Sequence, residues 1–269
     1  MAFWDRITSR GDVEDRRMQS PVALGGLGLG GLVLVVALTY LSGGDLGDIL
    51  SQVDPNAVRE QHQDTSQFEG QDTYETFAST VLGSNNDYWK QTLQQANQNY
   101  IPPHLVLFRS ATQSSCGTAT SSVGPHYCPL DQTIYLDETF FDELTNQLGA
   151  QGGDVAEAYV IGHEVGHHIQ QRLGTIEDAQ GTNQDSVRIE LQADCYAGLW
   201  LGSLKDQNIL EPGEIKEAMD AASSVGDDRI QEKVTGQIDP ESWTHGSAVQ
   251  RMEWFNKGYN GADLKSCTR

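Results

Sequence analysis

The chain has 269 residues, of which 38 are acidic and 17 basic, for a formal net charge of −21, and 38% are hydrophobic. That length suits one good-sized domain with appendages. A body this acidic repels phosphate backbones, which excludes nucleic acid as a partner.

Residues 1–20 set Arg6, Arg10, Arg16 and Arg17 against Asp5, Asp12, Glu14 and Asp15, so they are neutral as a group. From Val22 to Leu41 no residue is charged. Twenty such residues at a rise of about 1.5 Å cross the roughly 30 Å hydrocarbon core of a bilayer, so residues 21–41 read as a transmembrane helix. Gly26 and Gly30 have the small-xxx-small spacing of paired membrane helices, a weak signal in a glycine-rich run. Arg16 and Arg17 precede the stretch and Asp45 and Asp48 follow it. The positive-inside bias then puts residues 1–20 in the cytoplasm and everything after the span outside it. The expectation is a single-pass protein of the cell membrane with an extracytoplasmic domain. Residues 42–71 are polar and acidic with few large apolar side chains, the composition of a flexible linker. The folded domain is expected over residues 72–269.

Asp72 stands where it would cap a helix carrying Tyr74, Phe77, Val81 and Leu82, and Tyr88, Leu93 and Ala96 suggest another helix after it. Pro102 and Pro103 end helical structure, and HLVLF at 104–108 reads as a strand. TIYLD at 133–137 is a second strand, placed to pair by its edge with an extended peptide. Between the strands, Cys116 and Cys128 flank a Gly/Ser/Thr/Pro loop and form the natural local pair, which leaves Cys195 and Cys267 for each other. An even cysteine count outside the cytoplasm suits disulfides. Asp154, with Glu157 completing a capping box, opens a helix running to Leu173, and Gly174 ends it. Ser186 opens a helix over 186–204, and Pro212 begins one directed at Val225. Ser247 and Gln250 resemble a capping box for a last helix ending near Gly258. A small early sheet followed by helices makes an α+β domain.

The chemistry is concentrated in YVIGHEVGHHIQ, residues 159–170. His163 and His167 are four apart, so a helix projects both from one face toward one metal ion. Glu164, one step round, reaches a water on the metal rather than the metal itself, and a carboxylate there can take that water's proton. Zinc suits two imidazoles and a carboxylate with a fourth position left for water. Chance would produce this pattern on the order of 0.01 times in a chain of this composition. On the next helix, Glu190 and Asp194 share a face in ELQAD. Glu190 supplies the third ligand, and Asp194 accepts from the far nitrogen of a ligating histidine. A histidine six residues beyond His167 is ruled out as third ligand, because Leu173 stands there. His168 faces about 100° away from His167 and is assigned a structural role.

HExxH followed by ExxxD looks like the gluzincin group of zinc peptidases. More specifically, the chain resembles the bacterial putative neutral zinc metallopeptidase family. The stretches that carry the resemblance are CGTATSSVGPHYCPLDQTIYLD (116–137), AYVIGHEVGHHIQ (158–170), SVRIELQADCYAGLW (186–200), GDDRIQ (226–231) and THGSAVQRMEWFNKGY (244–259). It covers roughly residues 72–269 and a membrane-proximal N-terminus of the same kind. The resemblance implies a zincin-like fold with a helical active-site core, one zinc ion per chain, and peptidase activity on a peptide or protein substrate. His245, in a position like that of the oxyanion histidine of thermolysin-like enzymes, is the candidate donor to the developing oxyanion. Tyr127, Tyr135, Arg251 and Tyr259 rank behind it. His62 and His104 are read as bystanders, and for His126, in the disulfide loop, contact with substrate is the lesser of two readings. The function expected is a membrane-anchored zinc endopeptidase. The alternatives are a zinc amidohydrolase acting on a cell-envelope component, or a non-catalytic binding module with a vestigial metal site.

Overall fold

Residues 1–19, 72–176 and 181–268 are described in the computed structural model. The strands expected at residues 104 and 133 form where hydrophobic β-branched residues are dense, as β2 (His104–Leu107) and β6 (Thr133–Leu136). They pair in parallel, Leu105 opposite Ile134 and Val106 opposite Tyr135. β5 (His126–Cys128) runs antiparallel to β6, and β1 (Val13–Asp15) runs parallel to β2, giving the order β1-β2-β6-β5. A separate hairpin joins β3 (Ala111–Ser114) to β4 (Gly117–Thr120). TIYLD is therefore flanked on both sides, and the edge strand next to it is β5. Its three residues are too few to register as a period-two pattern.

β1 comes from the first twenty residues, which were expected to stand apart across a membrane. They are instead packed into the domain. Trp4 stacks on Trp200 with ring centroids 6.4 Å apart and meets Phe77 edge-on. Its indole nitrogen and the Ala2 amide both donate to Asp154, at 2.9 and 2.8 Å. The Gly11 amide donates to the Ser79 carbonyl, and the Ser79 hydroxyl donates back to the Gly11 carbonyl. Arg17, 2% exposed, lies against Asp15 at 2.7 Å, Asp72 at 3.1 Å and Glu138 at 3.0 Å. The arginines that looked like a membrane flank include one that is a buried cross-link. Replacing a buried Trp by Ala removes most of its packing, so Trp4→Ala is expected to cost about 3 kcal/mol in denaturant unfolding of the full chain. A loss below about 1 kcal/mol would mean that the arm contributes little.

α1 (Thr73–Gln95) is one helix rather than two, with Asp72 accepting from the Glu75 amide at its start. Its weak centre, Gly83–Ser84–Asn85, is buried, and the Ser84 hydroxyl accepts from the Trp200 indole at 3.0 Å. Tertiary contact overrides poor helix propensity there. After α2 (Phe140–Asn146) come α3 (Asp154–Arg172) and α4 (Asn183–Ser203). Asp154 is the first residue of α3 and not its cap. Its carboxylate serves the arm, and Glu217 accepts from the Val155 amide at 3.1 Å instead. α4 starts three residues before Ser186, capped by Thr182. α5 (Ile215–Ser224) begins after Pro212 rather than at it. α6 (Asp227–Thr235) follows, and α7 (Ala248–Tyr259) opens with the expected Ser247–Gln250 capping box.

Both expected disulfides are present: Cys116–Cys128 fastens the β3–β4 turn to β5, and Cys195–Cys267 fastens the C-terminal turn to α4. Among the described residues no helix is long and apolar enough to cross a membrane, and residues 21–41 lie outside the described residues. So does His62.

Candidate active site

α3 and α4 pack closely because glycine stands where they meet. A Cβ on Gly166 would lie 2.9 Å from the Ala193 carbonyl oxygen, closer than real Cβ atoms come. Gly166 falls between the two histidines of HEVGH, so the residue that admits α4 lies beside the residues that need it. Glu190 and Asp194, on the facing side of α4, are thereby brought to His163.

His163 Nε2 and His167 Nε2 are 3.1 Å apart. Glu190 lies 3.2 Å from His163 Nε2 by one oxygen and 3.5 Å from His167 Nε2 by the other. Ligand atoms about 2.05 Å from a tetrahedral centre stand ~3.3 Å from one another, close to the His163–His167 and His163–Glu190 separations, and one ligand atom from each of the three residues lies within 4.8 Å of the others. The donor set, two imidazoles and one carboxylate, is the one zinc takes. His163, His167 and Glu190 are the only group of this kind among the described residues. Burial works against the charged form of His163, yet hydrogen bonds to Asp194 and Glu190 outweigh it and push the pKa up to about 10. Burial likewise raises Glu190, but His167 and His163 beside it bring it well below the usual carboxylate range. The constellation favours positive charge at its centre, which a bound cation provides.

Each histidine is held from behind. His163 Nδ1 lies 2.9 Å from Asp194, which also accepts from the Tyr159 hydroxyl at 2.5 Å and from Arg251 through both oxygens at 2.8 and 2.9 Å. Asp194 and Arg251 are fully or almost fully buried. His167 Nδ1 lies 2.9 Å from the Gln170 side-chain oxygen. In both rings the Nδ1–H is engaged, so the Nε2 lone pairs face the common point. Glu164 is buried beside His163 and is not one of the three ligands.

His168 sits apart, as its facing implies. Its Nε2–H donates to the Ile101 carbonyl at 2.7 Å, and its Nδ1 meets the Tyr127 hydroxyl at 2.8 Å. Burial lowers its pKa to about 4. This neutral imidazole fastens β5 to α3. His245 is half exposed, and its Nδ1 is 3.2 Å from Asp227. Asp227 also accepts from the backbone amides of Thr244, His245 and Gly246 at 2.8, 2.6 and 2.9 Å. The Asp227 hydrogen bond raises the pKa of His245 against the cost of burial, and Glu190 adds to the rise. Gly246 rests on Val187 and Leu191 of α4, which puts the His245 loop on the flank of Glu190.

The other candidate donors are engaged elsewhere. Tyr135 donates to Asp131, Tyr259 stacks on Phe255, and Tyr127 holds His168. His126 stacks on Tyr135 along β5, and His104 pairs with Asp12 of the arm. Asp227 was not legible in sequence, because no local rule links it to a residue eighteen positions on. Gln170 was missed as well, although a local signal existed: it is three residues after His167, one turn along the same face.

Two packed helices bring two histidines and a glutamate together as a candidate metal site carrying the HExxH–ExxxD pattern. The family described as putative neutral zinc metallopeptidase matches residues 1–269, and the chain belongs to it. It is 38% identical to "Uncharacterized protein YpfJ" of Escherichia coli (strain K12), over 98% of this chain and 97% of that one. It is 46% identical to "Uncharacterized protein Rv2575" of Mycobacterium tuberculosis (strain ATCC 25618 / H37Rv), over 66% of this chain and 64% of that one. No solved structure matches.

Proposed function

We propose that this protein is a zinc-dependent endopeptidase, with zinc held by His163, His167 and Glu190. The observation that carries this is that one ligand atom from each of the three lies within 4.8 Å of the others, with Glu164 next to His163 in the chain and outside that group. When bound, zinc polarises the scissile carbonyl and makes a water acidic enough to deprotonate near neutral pH. Glu164 takes the proton from that water and passes it to the leaving amine. His245, oriented by Asp227, donates to the oxygen that gains charge during attack. β5, the sheet edge joined to α3 through Tyr127 and His168, offers backbone groups to an extended peptide.

Both disulfides favour an oxidising compartment for the domain. The docked arm takes residues 1–18 to the same side, so the opposite-side arrangement is withdrawn. Attachment to a membrane through residues 21–41 remains part of the proposal.

Elemental analysis of the full chain should find one zinc, and none in a His163→Ala/His167→Ala double variant. Full occupancy in that variant would refute the ligand set. Cleavage profiling of a proteome by the zinc-loaded and chelated protein then tests the reaction. His245→Ala should keep its zinc and lose about 10²–10³ in kcat, the usual effect of one oxyanion donor. Because Asp227 holds the His245 pKa up, Asp227→Asn should move the alkaline fall of kcat/KM to lower pH. A fall that stays in place would remove His245 from this role.

A further inference from the structure

The two metal-binding histidines are supported in different ways. Behind His163 stands an ion pair, Asp194 with Arg251. Behind His167 stands a line of uncharged amides. The Gln170 side-chain oxygen faces His167 Nδ1 at 2.9 Å, while its NH2 donates to the Ile189 carbonyl at 2.7 Å and to the Gln192 side-chain oxygen at 3.1 Å. The Gln192 NH2 donates in turn to the Cys267 carbonyl at 3.2 Å. Gln170 and Cys267 are 0% exposed and Gln192 is 9% exposed.

This arrangement has only one consistent direction. Both protons of the Gln170 NH2 meet oxygen acceptors, so its oxygen is the atom turned to His167, and His167 must present Nδ1–H. That tautomer leaves Nε2 as the metal-binding atom. Each amide is fixed by the next, and the last acceptor belongs to the short turn Leu264–Cys267 near the end of the chain. That turn is bound covalently to α4 by Cys195–Cys267, and Cys195 directly follows Asp194.

We infer that Gln170 and Gln192 are positioning residues through which the Cys195–Cys267 disulfide sets the orientation of His167, so that metal affinity depends on whether that bond is closed. The inference rests on the metal centre proposed above. Opening the bond takes two electrons and two protons and leaves two thiols. A trialkylphosphine supplies the electrons to the disulfide and becomes its oxide by taking the oxygen atom of a water molecule, whose two protons go to the sulfurs. Without the bond, the Cys267 carbonyl is no longer held over Gln192. The amides can then rotate, and His167 loses its enforced tautomer. Loss of such an orienting partner typically lowers metal affinity by about 10–100-fold.

The test is zinc affinity by chelator competition on the full chain, with the visible spectrum of the cobalt-substituted protein as a second readout of ligand geometry. Cys195→Ser/Cys267→Ser should lower affinity by about 10-fold or more and shift the cobalt bands. Gln192→Leu should do the same with the disulfide intact, and the triple variant should lose no more than either. Cys116→Ser/Cys128→Ser should change neither readout. Unchanged affinity on opening Cys195–Cys267, or fully additive losses in the triple variant, would overturn the inference. If the serine variant fails to fold, Gln170→Leu against Gln170→Glu decides. The glutamate keeps an acceptor for His167 and should restore the cobalt spectrum that leucine alters, and equal spectra would overturn the inference. A wild-type chain that binds neither metal would sink the metal centre and the inference together. A chain that binds both metals but ignores the disulfide would sink the inference alone.

Discussion

Glu164→Gln is expected to retain zinc and lose about 10²–10⁴-fold in kcat, the range for a positioned general base. The substitution keeps the shape of the side chain and removes its basicity. Glu164 is buried on α3 next to His163 and belongs to none of the three ligand positions, so the metal has no reason to leave. α3 is held at its start by Glu217 and along its length by α4, so the replacement amide should occupy the same place. Zinc content and single-turnover rates measured on the same preparation separate the two effects. Undiminished turnover would assign the proton transfer to another group, and lost zinc would assign Glu164 a structural role.

Arg251→Met should lower the unfolding free energy by about 3–5 kcal/mol, because it leaves Asp194 buried without its counter-charge. For a chain of this size that corresponds to a Tm lower by on the order of 10 °C. Arg251 is 4% exposed and Asp194 is wholly buried, so water cannot take over the lost contacts. The Asp194 carboxylate also holds His163, so metal affinity should fall with stability. Adding Asp194→Asn removes the stranded charge and should recover much of the Tm, since a buried pair deleted whole costs less than a pair cut in half. A Tm within about 2 °C of wild type for Arg251→Met alone would show that the pair carries little of the fold.

The pairing of His163 with His167 and the Cys116–Cys128 disulfide were legible because their spacing is dictated locally, whereas Glu190 was read from the ExxxD pattern of the next helix and Cys195–Cys267 from the two cysteines left over. A helix sets His163 and His167 on one face. Cys116 and Cys128 are only twelve residues apart. Ser247 and Gln250 form their capping box for the same local reason. What was not legible depends on distant partners. Arg17 looks in sequence like the charged flank of a membrane span, and only the fold brings Asp72 and Glu138 to it. β1 and β5, three residues each, carry no periodicity, so the sheet was expected to be smaller and TIYLD to lie at its edge. Arg251 was weighed as a donor to substrate, and its burial against Asp194 reassigns it to holding a histidine.

The contact between Arg17 and Asp72 brings together two points of the chain that are far apart in sequence. The covalent connection between them runs through residues 20–71, which lie outside the described residues. For a flexible tether, closure entropy grows only with the logarithm of its length, about 0.6 kcal/mol per doubling, so insertions or deletions in residues 42–71, which have a linker's composition, should scarcely alter stability. A single cut in the tether has a different effect. The arm's hydrogen bonds, Trp4 packing and Arg17 pairs all survive it. The arm, however, changes from a tethered element at high effective concentration into a peptide bound by a second chain. Its retention then depends on dilution, and one proteolytic event would make the support of the α3 N-terminus a matter of concentration.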